Sequence, residues 1–158
     1  MSIIVVGMAD LNICRAPDVL TTLGLGSCVG ITLYDPVRKI AGMAHIMLPF
    51  SKFYAGQNRA KFADTAIVDL LNKMGQAGAQ RSALVAKLAG GAHMFGGSSN
   101  DILKVGERNA AACADILRHL RIPVMANDTG GSRGRTIELY AANGDLKIKS
   151  IGSGEKFI

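Results

Sequence analysis

Cysteine is scarce in this sequence, and tryptophan is absent from its 158 residues. The three cysteines, Cys14, Cys28 and Cys113, are odd in number and form no CxxC pair. A disulfide framework needs an even and dense set of cysteines, and a structural zinc site needs closely spaced ligand pairs. The three histidines also lack ligand spacing. The sequence therefore predicts neither a disulfide scaffold nor a metal site.

Long apolar runs are missing as well. No stretch approaches the roughly 18 consecutive apolar residues that a membrane-spanning helix needs. The first residues, Met1–Val6, lack the basic segment that opens a signal peptide. We therefore expect a cytoplasmic protein without membrane insertion, in which reducing conditions keep the cysteines as thiols.

Acidic residues are outnumbered, since 18 Lys and Arg against 12 Asp and Glu give a net charge of +6. A basic surface attracts acidic partners, although ordinary solubility charge explains the excess equally well. Aromatic residues make up only 5% of the chain and do not interleave with basic clusters, which is not typical of nucleic-acid-binding proteins. The sequence favours ordinary surface charge or an acidic protein partner over nucleic acid.

The composition, with 49% hydrophobic and 19% charged residues, is that of a single globular domain. Apolar residues at helical spacing predict two helices, over 59–75 and 106–120. Apolar and β-branched runs predict seven to nine strands, arranged more in hairpins than in βαβ units. We expect an α+β fold: a layered α/β sandwich of mostly antiparallel or mixed sheet, with the two amphipathic helices packed on a sheet face.

Three local features refine this expectation. Residues 10–17 look irregular because Pro17 ends any local helix. The pair Asn143-Gly144 indicates a type I′ turn between two strands. Residues 1–150 are expected to form the domain, and residues 151–158 a loose C-terminal tail.

A glycine-rich stretch, Thr22-Leu23-Gly24-Leu25-Gly26-Ser27-Cys28, carries the main candidate for chemistry. Glycine tolerates positive φ and close backbone approach, so the thiol of Cys28 follows a tight bend. The next residues, 29–34, read as a strand, and a second apolar run over 40–48 carries His45.

The register of this hairpin decides whether Cys28 meets His45. A two-residue turn that pairs Asp35 with Arg38 places the two side chains directly opposite, within reach of a thiol–imidazole hydrogen bond. A four-residue loop that pairs Asp35 with Ile40 makes them diagonal neighbours on one face. A three-residue loop or a bulge puts them on opposite faces.

A thiol beside an imidazole is the arrangement of a cysteine hydrolase, because the ring can take the thiol proton and return it to a leaving group. The alternatives are a buried structural cysteine and a structural strand histidine. On the residues alone, Thr22 reads as a strand threonine, and nothing separates it physically from Thr21.

Two further loops are rich in glycine. The loop over 90–101 contains Gly96-Gly97-Ser98-Ser99 but lacks the GxxxxGK[ST] phosphate-binding pattern, so we expect it to shape a site entrance. The loop over 128–135 carries Arg133 and Arg135. These arginines could bind an anion, hold the loop against Asp128, or meet acidic residues of a partner.

Six blocks, in their order and spacing, resemble the CheD family of chemoreceptor glutamine deamidases. The matching blocks are Thr22–Cys28, Ala41–Pro49, Lys61–Ala66, Gly90–Ala92 with Met94–Phe95, Gly106–Asn109, and Asp128–Gly131 with Arg133 and Arg135. Their combination along most of the chain is far more specific than a glycine-rich loop alone, and the fold that the resemblance implies is of the layered kind expected above.

The resemblance implies a cysteine amidohydrolase with Cys28, His45 and Thr22 as its triad and no cofactor. Backbone N–H groups near Gly26 and Ser27 would bind the oxyanion. The implied substrates are glutamines of methyl-accepting chemotaxis receptors, and the implied partner is the phosphatase CheC. The alternative is a non-catalytic chemotaxis adaptor that binds receptors and CheC.

Overall fold

The computed structural model describes residues 1–94 and 104–158. Within these ranges the chain forms ten strands and two α-helices. The elements are β1 Ile3–Val5, β2 Asp10–Arg15, β3 Val19–Leu25, β4 Val29–Asp35, β5 Ile40–Ile46, α1 Ala63–Gln76, β6 Val85–Gly90, α2 Val105–His119, β7 Val124–Thr129, β8 Arg135–Tyr140, β9 Leu146–Ser150 and β10 Gly154–Phe157.

The strands form two five-stranded mixed sheets. The central sheet has the order β2-β5-β4-β6-β7, and the outer sheet has the order β1-β3-β8-β9-β10. Each contains one parallel pair, β6 with β7 and β1 with β3, while the other neighbours are antiparallel. Both helices pack on one face of the central sheet, and the outer sheet covers its other face. This arrangement confirms the predicted α+β layered sandwich.

The burial of strand β4 explains why its sequence is a continuous apolar run. All seven of its residues are buried, because alternate side chains face the helices and the outer sheet. Val29, Ile31 and Leu33 join the core beneath the helices. Gly30 faces the outer sheet so closely that a Cβ there would lie 2.6 Å from the Ile137 side chain. The layer between the sheets is therefore tightly packed at this point.

The β4–β5 hairpin has the four-residue loop. Asp35 pairs with Ile40, and Gly30 pairs with His45, so the two-residue turn is wrong and the four-residue alternative is confirmed. The buried Asp35 carboxylate accepts hydrogen bonds from the Val37 and Arg38 N–H groups at 3.0 Å each. These bonds stabilise the larger loop.

The predicted helices are both present, with changes at their ends. The first helical stretch begins as a separate 3₁₀ turn over Arg59–Lys61, and α1 follows an extended Phe62. Apolar residues at helical spacing that predicted this helix are buried, including Ile67, Leu70 and Met74. Neither α1 nor α2, the two α-helices of the described ranges, is long and apolar enough to cross a membrane.

Residues 10–15, expected to be irregular, form edge strand β2, which pairs with β5. Pairing with a neighbour that is distant in sequence overrides a weak local signal. The turn at Asn143-Gly144 also differs from the type I′ expectation, because Gly144 has φ +81° while Asn143 is not among the residues with positive φ. The hairpin instead closes between Tyr140 and Asp145.

The last residues were expected to be loose but contain a paired strand. β10 runs antiparallel to β9, with Gly154 opposite Ser150 and Phe157 opposite Lys147. The sequence Gly-Glu-Lys-Phe carries little strand signal of its own, so pairing with β9 determines its conformation. The domain division at residue 150 stays a prediction.

Asp35 provides a test of what holds the hairpin. It is fully buried and also accepts the Gln80 N–H at 3.0 Å and the Arg38 guanidinium at 3.2 Å. Burial alone would raise the pKa of Asp35, but the hydrogen bonds from Gln80, Arg38 and Val37 together hold it below the ordinary value.

We expect Asp35→Asn to lower the free energy of unfolding by about 1–3 kcal/mol at pH 7, measured by urea unfolding. The uncharged amide has one acceptor oxygen instead of two, and the hydrogen bonds that remain are no longer strengthened by the carboxylate charge. Since the folded-state pKa lies below the unfolded one, this contribution is present above about pH 4 and is lost as the pH falls through the folded-state pKa.

The exposed pair of Asp115 with Arg118, at 2.9 Å, supplies the control. Asp115→Asn should change the free energy of unfolding by less than about 1 kcal/mol. Equal effects of the two variants at pH 7 would contradict the role given to Asp35.

Candidate active site

His45 lies on β5 in the layer between the two sheets, and only 1% of it is exposed. Its Nδ1 atom lies 2.7 Å from Thr22 Oγ1 on β3. The contact crosses from one sheet to the other, so the packing of the sandwich positions the ring. The neighbouring Thr21 donates instead to the Ile137 carbonyl, which separates the two threonines that the sequence could not distinguish.

The hydrogen bonds of Thr22 determine the tautomer of His45. Thr22 Oγ1 also lies 2.6 Å from the Val6 carbonyl oxygen. A carbonyl only accepts, so the single hydroxyl hydrogen is donated to Val6, and Oγ1 accepts from the Nδ1–H of His45. The neutral ring therefore carries its hydrogen on Nδ1 and a bare lone pair on Nε2. Nε2 is buried and has no hydrogen-bond partner among the described residues.

Cys28 lies in the bend just before β4, on the face of the central sheet that carries His45. Gly30 pairs directly with His45, and Cys28 precedes Gly30 by two residues. The two side chains are therefore diagonal neighbours, whose Cα atoms are typically about 7–8 Å apart. The expected thiol–imidazole hydrogen bond is not formed, since Nε2 has no partner in the part of the chain that the structure describes, which includes Cys28. Catalytic hydrogen bonds are often long without substrate and tighten when it binds.

The bend at Gly26-Ser27-Cys28 is bound to the protein through its three carbonyl groups. The Gly26 carbonyl accepts from the Ala92 N–H at 2.8 Å, and the Cys28 carbonyl accepts from the Gly91 N–H at 2.8 Å. The Ser27 carbonyl accepts from the Asn109 side-chain amide at 2.9 Å. Within the described ranges, none of the three N–H groups of the bend donates to a backbone carbonyl. Successive free N–H groups of this kind can bind an anion.

Glycine at position 90 makes this contact possible. Gly90 has φ +107°, and a Cβ there would lie 2.3 Å from the Cys28 carbonyl oxygen. A side chain at this position would therefore push the end of β6 away from the bend. Gly90, in the matched Gly90–Ala92 block, therefore supports the backbone of the bend.

Burial keeps both candidate catalytic groups neutral. It raises the pKa of the Cys28 thiol, and the residue's own backbone N–H offsets part of this rise. Burial also lowers the pKa of His45. At neutral pH the resting pair is thus a thiol and a neutral imidazole, so the ring is ready to act as a base.

Arg135 holds its loop rather than presenting a free cation. It is 8% exposed and contacts the Asp128 carboxylate at 3.3 Å. It also donates to the carbonyl oxygens of Gly90 at 3.2 Å and Gly130 at 2.9 Å. Of the alternatives for this arginine, the structure shows the one in which it holds the loop against Asp128.

Other expectations from the sequence have mixed outcomes. Residues 96–99, considered for phosphate binding, lie outside the described residues. No group of three or more His, Cys, Asp or Glu within 1–94 and 104–158 is arranged to hold a metal ion.

His93 follows the glycine block, and its buried Nε2 lacks a partner among the described residues. The sequence reasoning gave no role to Asn109, although it belongs to a matched block.

Comparison with known proteins identifies the family. A family model described as CheD chemotactic sensory transduction matches residues 47–150. A probable chemoreceptor glutamine deamidase CheD of Lachnoclostridium phytofermentans is 57% identical over 155 residues, covering 97% of this chain and 96% of that relative. The chain belongs to the CheD family. The chemoreceptor glutamine deamidases CheD of Halalkalibacterium halodurans and Bacillus subtilis are 52% and 47% identical over 159 residues, covering 99% of this chain and 98% and 96% of theirs.

One solved structure shares the fold. A Neisseria meningitidis protein of the family DUF152 aligns with a TM-score of 0.52 at 8% sequence identity, over 87% of this CheD-family chain and 75% of that chain. At this identity the likeness concerns the fold alone. It shows that the layered arrangement of two sheets and helices also occurs outside the CheD family.

The three cysteines should differ in reactivity. We expect iodoacetamide to label Cys28 before Cys14 and Cys113 in the native protein, because Cys28 lies on a bend, whereas burial raises the pKa of Cys14 to about 11 and of Cys113 to about 12. Its labelling rate should still increase above about pH 8.5, the ordinary pKa of a free thiol, since burial raises the pKa of Cys28 too.

Mass spectrometry of tryptic peptides after timed labelling measures the order. Protein unfolded in guanidinium chloride is the control, in which the three thiols should react at similar rates. Native labelling of Cys113 or Cys14 ahead of Cys28 would contradict the higher reactivity expected of Cys28.

Proposed function

We propose that this protein deamidates selected glutamine side chains of methyl-accepting chemotaxis receptors, with Cys28 as nucleophile, His45 as acid and base, and Thr22 as the group that orients His45. The observation that carries the proposal is the buried Nε2 of His45, which has no partner within residues 1–94 and 104–158, while Thr22 holds the Nδ1–H. The names of relatives covering nearly the whole chain, chemoreceptor glutamine deamidases, support the substrate class.

The reaction begins with a proton transfer. Nε2 of His45 takes the proton of the Cys28 thiol, and the sulfur attacks the side-chain amide carbon of glutamine. The S–C bond forms while the C=O π electrons move to oxygen, which gives a tetrahedral oxyanion. The imidazolium formed at this point keeps its Nδ1–H on Thr22, so the ring does not rotate between steps.

The oxyanion needs hydrogen-bond donors. The candidates are the N–H groups of Gly26, Ser27 and Cys28. They donate to no backbone carbonyl of the described residues, and the carbonyls of the bend are directed into the protein. One such donor typically contributes about 2.7–4 kcal/mol to transition-state stabilisation.

Collapse of the oxyanion breaks the C–N bond, and His45 Nε2–H protonates the leaving ammonia. The product is a thioester between Cys28 and the former glutamine. His45 then takes a proton from water, which attacks the thioester carbon. The second tetrahedral intermediate expels the sulfur, the proton returns to it, and glutamate is released. Water supplies the oxygen gained and ammonia carries away the nitrogen, so no cofactor is consumed.

Further proposals concern partners and location. The net charge of +6 suits an acidic protein surface, and we propose that receptors meet this protein in the cytoplasm and that the phosphatase CheC binds it. The competing function is a non-catalytic adaptor that binds receptors and CheC, and the test below separates the two.

Purified protein incubated with receptor cytoplasmic fragments should release ammonia and add about one dalton per modified glutamine, because OH replaces NH₂. We expect Cys28→Ala to reduce the rate of ammonia release by at least about a thousandfold, as loss of a nucleophile does, while binding to the fragments persists. Mass spectrometry locates the modified residues.

The other cysteines supply matched controls. Cys14→Ala and Cys113→Ala remove buried thiols of the same kind and should retain the wild-type rate per folded molecule. Binding without ammonia release by the wild type would establish the adaptor, and a Cys28→Ala variant as active as the wild type would remove Cys28 from the mechanism.

A further inference from the structure

Asn109 is a fully buried polar residue on α2 that connects both halves of the candidate active site. Its side-chain Nδ2 donates to the Ser27 carbonyl at 2.9 Å and to the Met47 carbonyl at 2.9 Å. Ser27 precedes the nucleophile, and Met47 follows His45 by two residues. Because both partners are carbonyl groups, the NH₂ of the amide must face them, and both of its hydrogens are used.

The bond to Ser27 sets the direction of the next N–H. In a trans peptide the carbonyl of one residue and the N–H of the next point in opposite directions. With the Ser27 carbonyl directed at Asn109, the Cys28 N–H is directed away from α2. The bonds from Ala92 to Gly26 and from Gly91 to Cys28 hold the peptides on either side.

The oxygen of Asn109 shows that packing alone does not explain the residue. Oδ1 is buried and has no hydrogen-bond partner among the described residues. A buried acceptor without a donor is unfavourable, and an apolar side chain of similar size would avoid that penalty. The feature that an apolar residue cannot supply is the pair of donated hydrogen bonds.

We propose that Asn109 is a positioning residue for the deamidation reaction: it fixes the Ser27-Cys28 peptide so that the Cys28 N–H stabilises the oxyanion. The inference rests on the proposed function. Asn109 does not contact the reacting atoms; it acts through the backbone of the bend and through the end of β5.

The test uses Asn109→Leu, which has a similar size and no donors. We expect its kcat for receptor-fragment deamidation to fall by about a hundredfold, as loss of an oxyanion donor does, with little change in KM. The rate of Cys28 alkylation by iodoacetamide should stay within about threefold of wild type, because alkylation requires the thiolate but forms no oxyanion. A general loss of structure would change both rates together.

Asn109→Asp provides a second variant of nearly identical shape. A protonated carboxyl group can donate one hydrogen and a carboxylate none, so at least one of the two bonds is lost in either protonation state, and kcat should again fall with alkylation preserved. The control is Cys113→Ala, which alters a fully buried side chain of the same helix away from the bend and should keep the wild-type kcat.

The outcomes separate the two proposals. An active wild type with Asn109 variants of normal kcat overturns the positioning role alone. Parallel losses of alkylation and kcat in folded variants also overturn it, since they place the defect at the thiol. A wild type that binds receptor fragments but releases no ammonia overturns the proposed function, and this inference with it.

Discussion

The hydrogen bond between His45 and Thr22 is the contact on which the arrangement of the site depends. It joins a strand of the central sheet to a strand of the outer sheet, and the Val6 carbonyl fixes its direction by taking the hydroxyl hydrogen. The ring therefore presents a bare Nε2 only while the two sheets keep their spacing. The close approach at Gly30 helps to maintain that spacing, so the packing between the sheets also determines the geometry of the candidate active site.

Burial moves the pKa values of the two groups that would react in opposite directions, and in both cases it favours the neutral form. It disfavours the thiolate at Cys28 and the imidazolium at His45, so the resting site holds no ion pair. A neutral pair needs no counterion in the core. In the proposed reaction, charge appears only transiently, on the oxyanion and on the ring. The N–H groups of the bend and the Thr22 hydroxyl are the groups that would stabilise this charge, and they are already oriented.

Local sequence patterns predicted the helices and strands whose conformation depends on residues close together in the chain. The apolar spacing of α1 identified Ile67, Leu70 and Met74 as its buried stripe, and the β-branched run identified β4. The hairpin register could not be chosen from sequence, because the turn is stabilised by Asp35 acting together with Gln80, 45 residues away. Edge strands β2 and β10 were missed because their pairing partners determine their conformation.

The candidate site was predictable to a similar degree. Glycines, a cysteine and a histidine at hairpin spacing indicated Cys28 and His45, whereas Thr22 depended on the family resemblance until the geometry separated it from Thr21. Asn109 carries no local signal, because its partners Ser27 and Met47 lie 82 and 62 residues away in the chain. Contacts of that range follow from the packing of α2 on the central sheet, which no short motif encodes.

The protonation state of His45 tests the central claim most directly. Long-range ¹H–¹⁵N correlation spectra of histidine-labelled protein, with His93→Gln and His119→Gln variants for assignment, report which ring nitrogen carries hydrogen. The structure predicts a neutral ring protonated at Nδ1 that stays neutral below its ordinary pKa of about 6.5. A ring protonated at Nε2, or an imidazolium at neutral pH, would contradict the account.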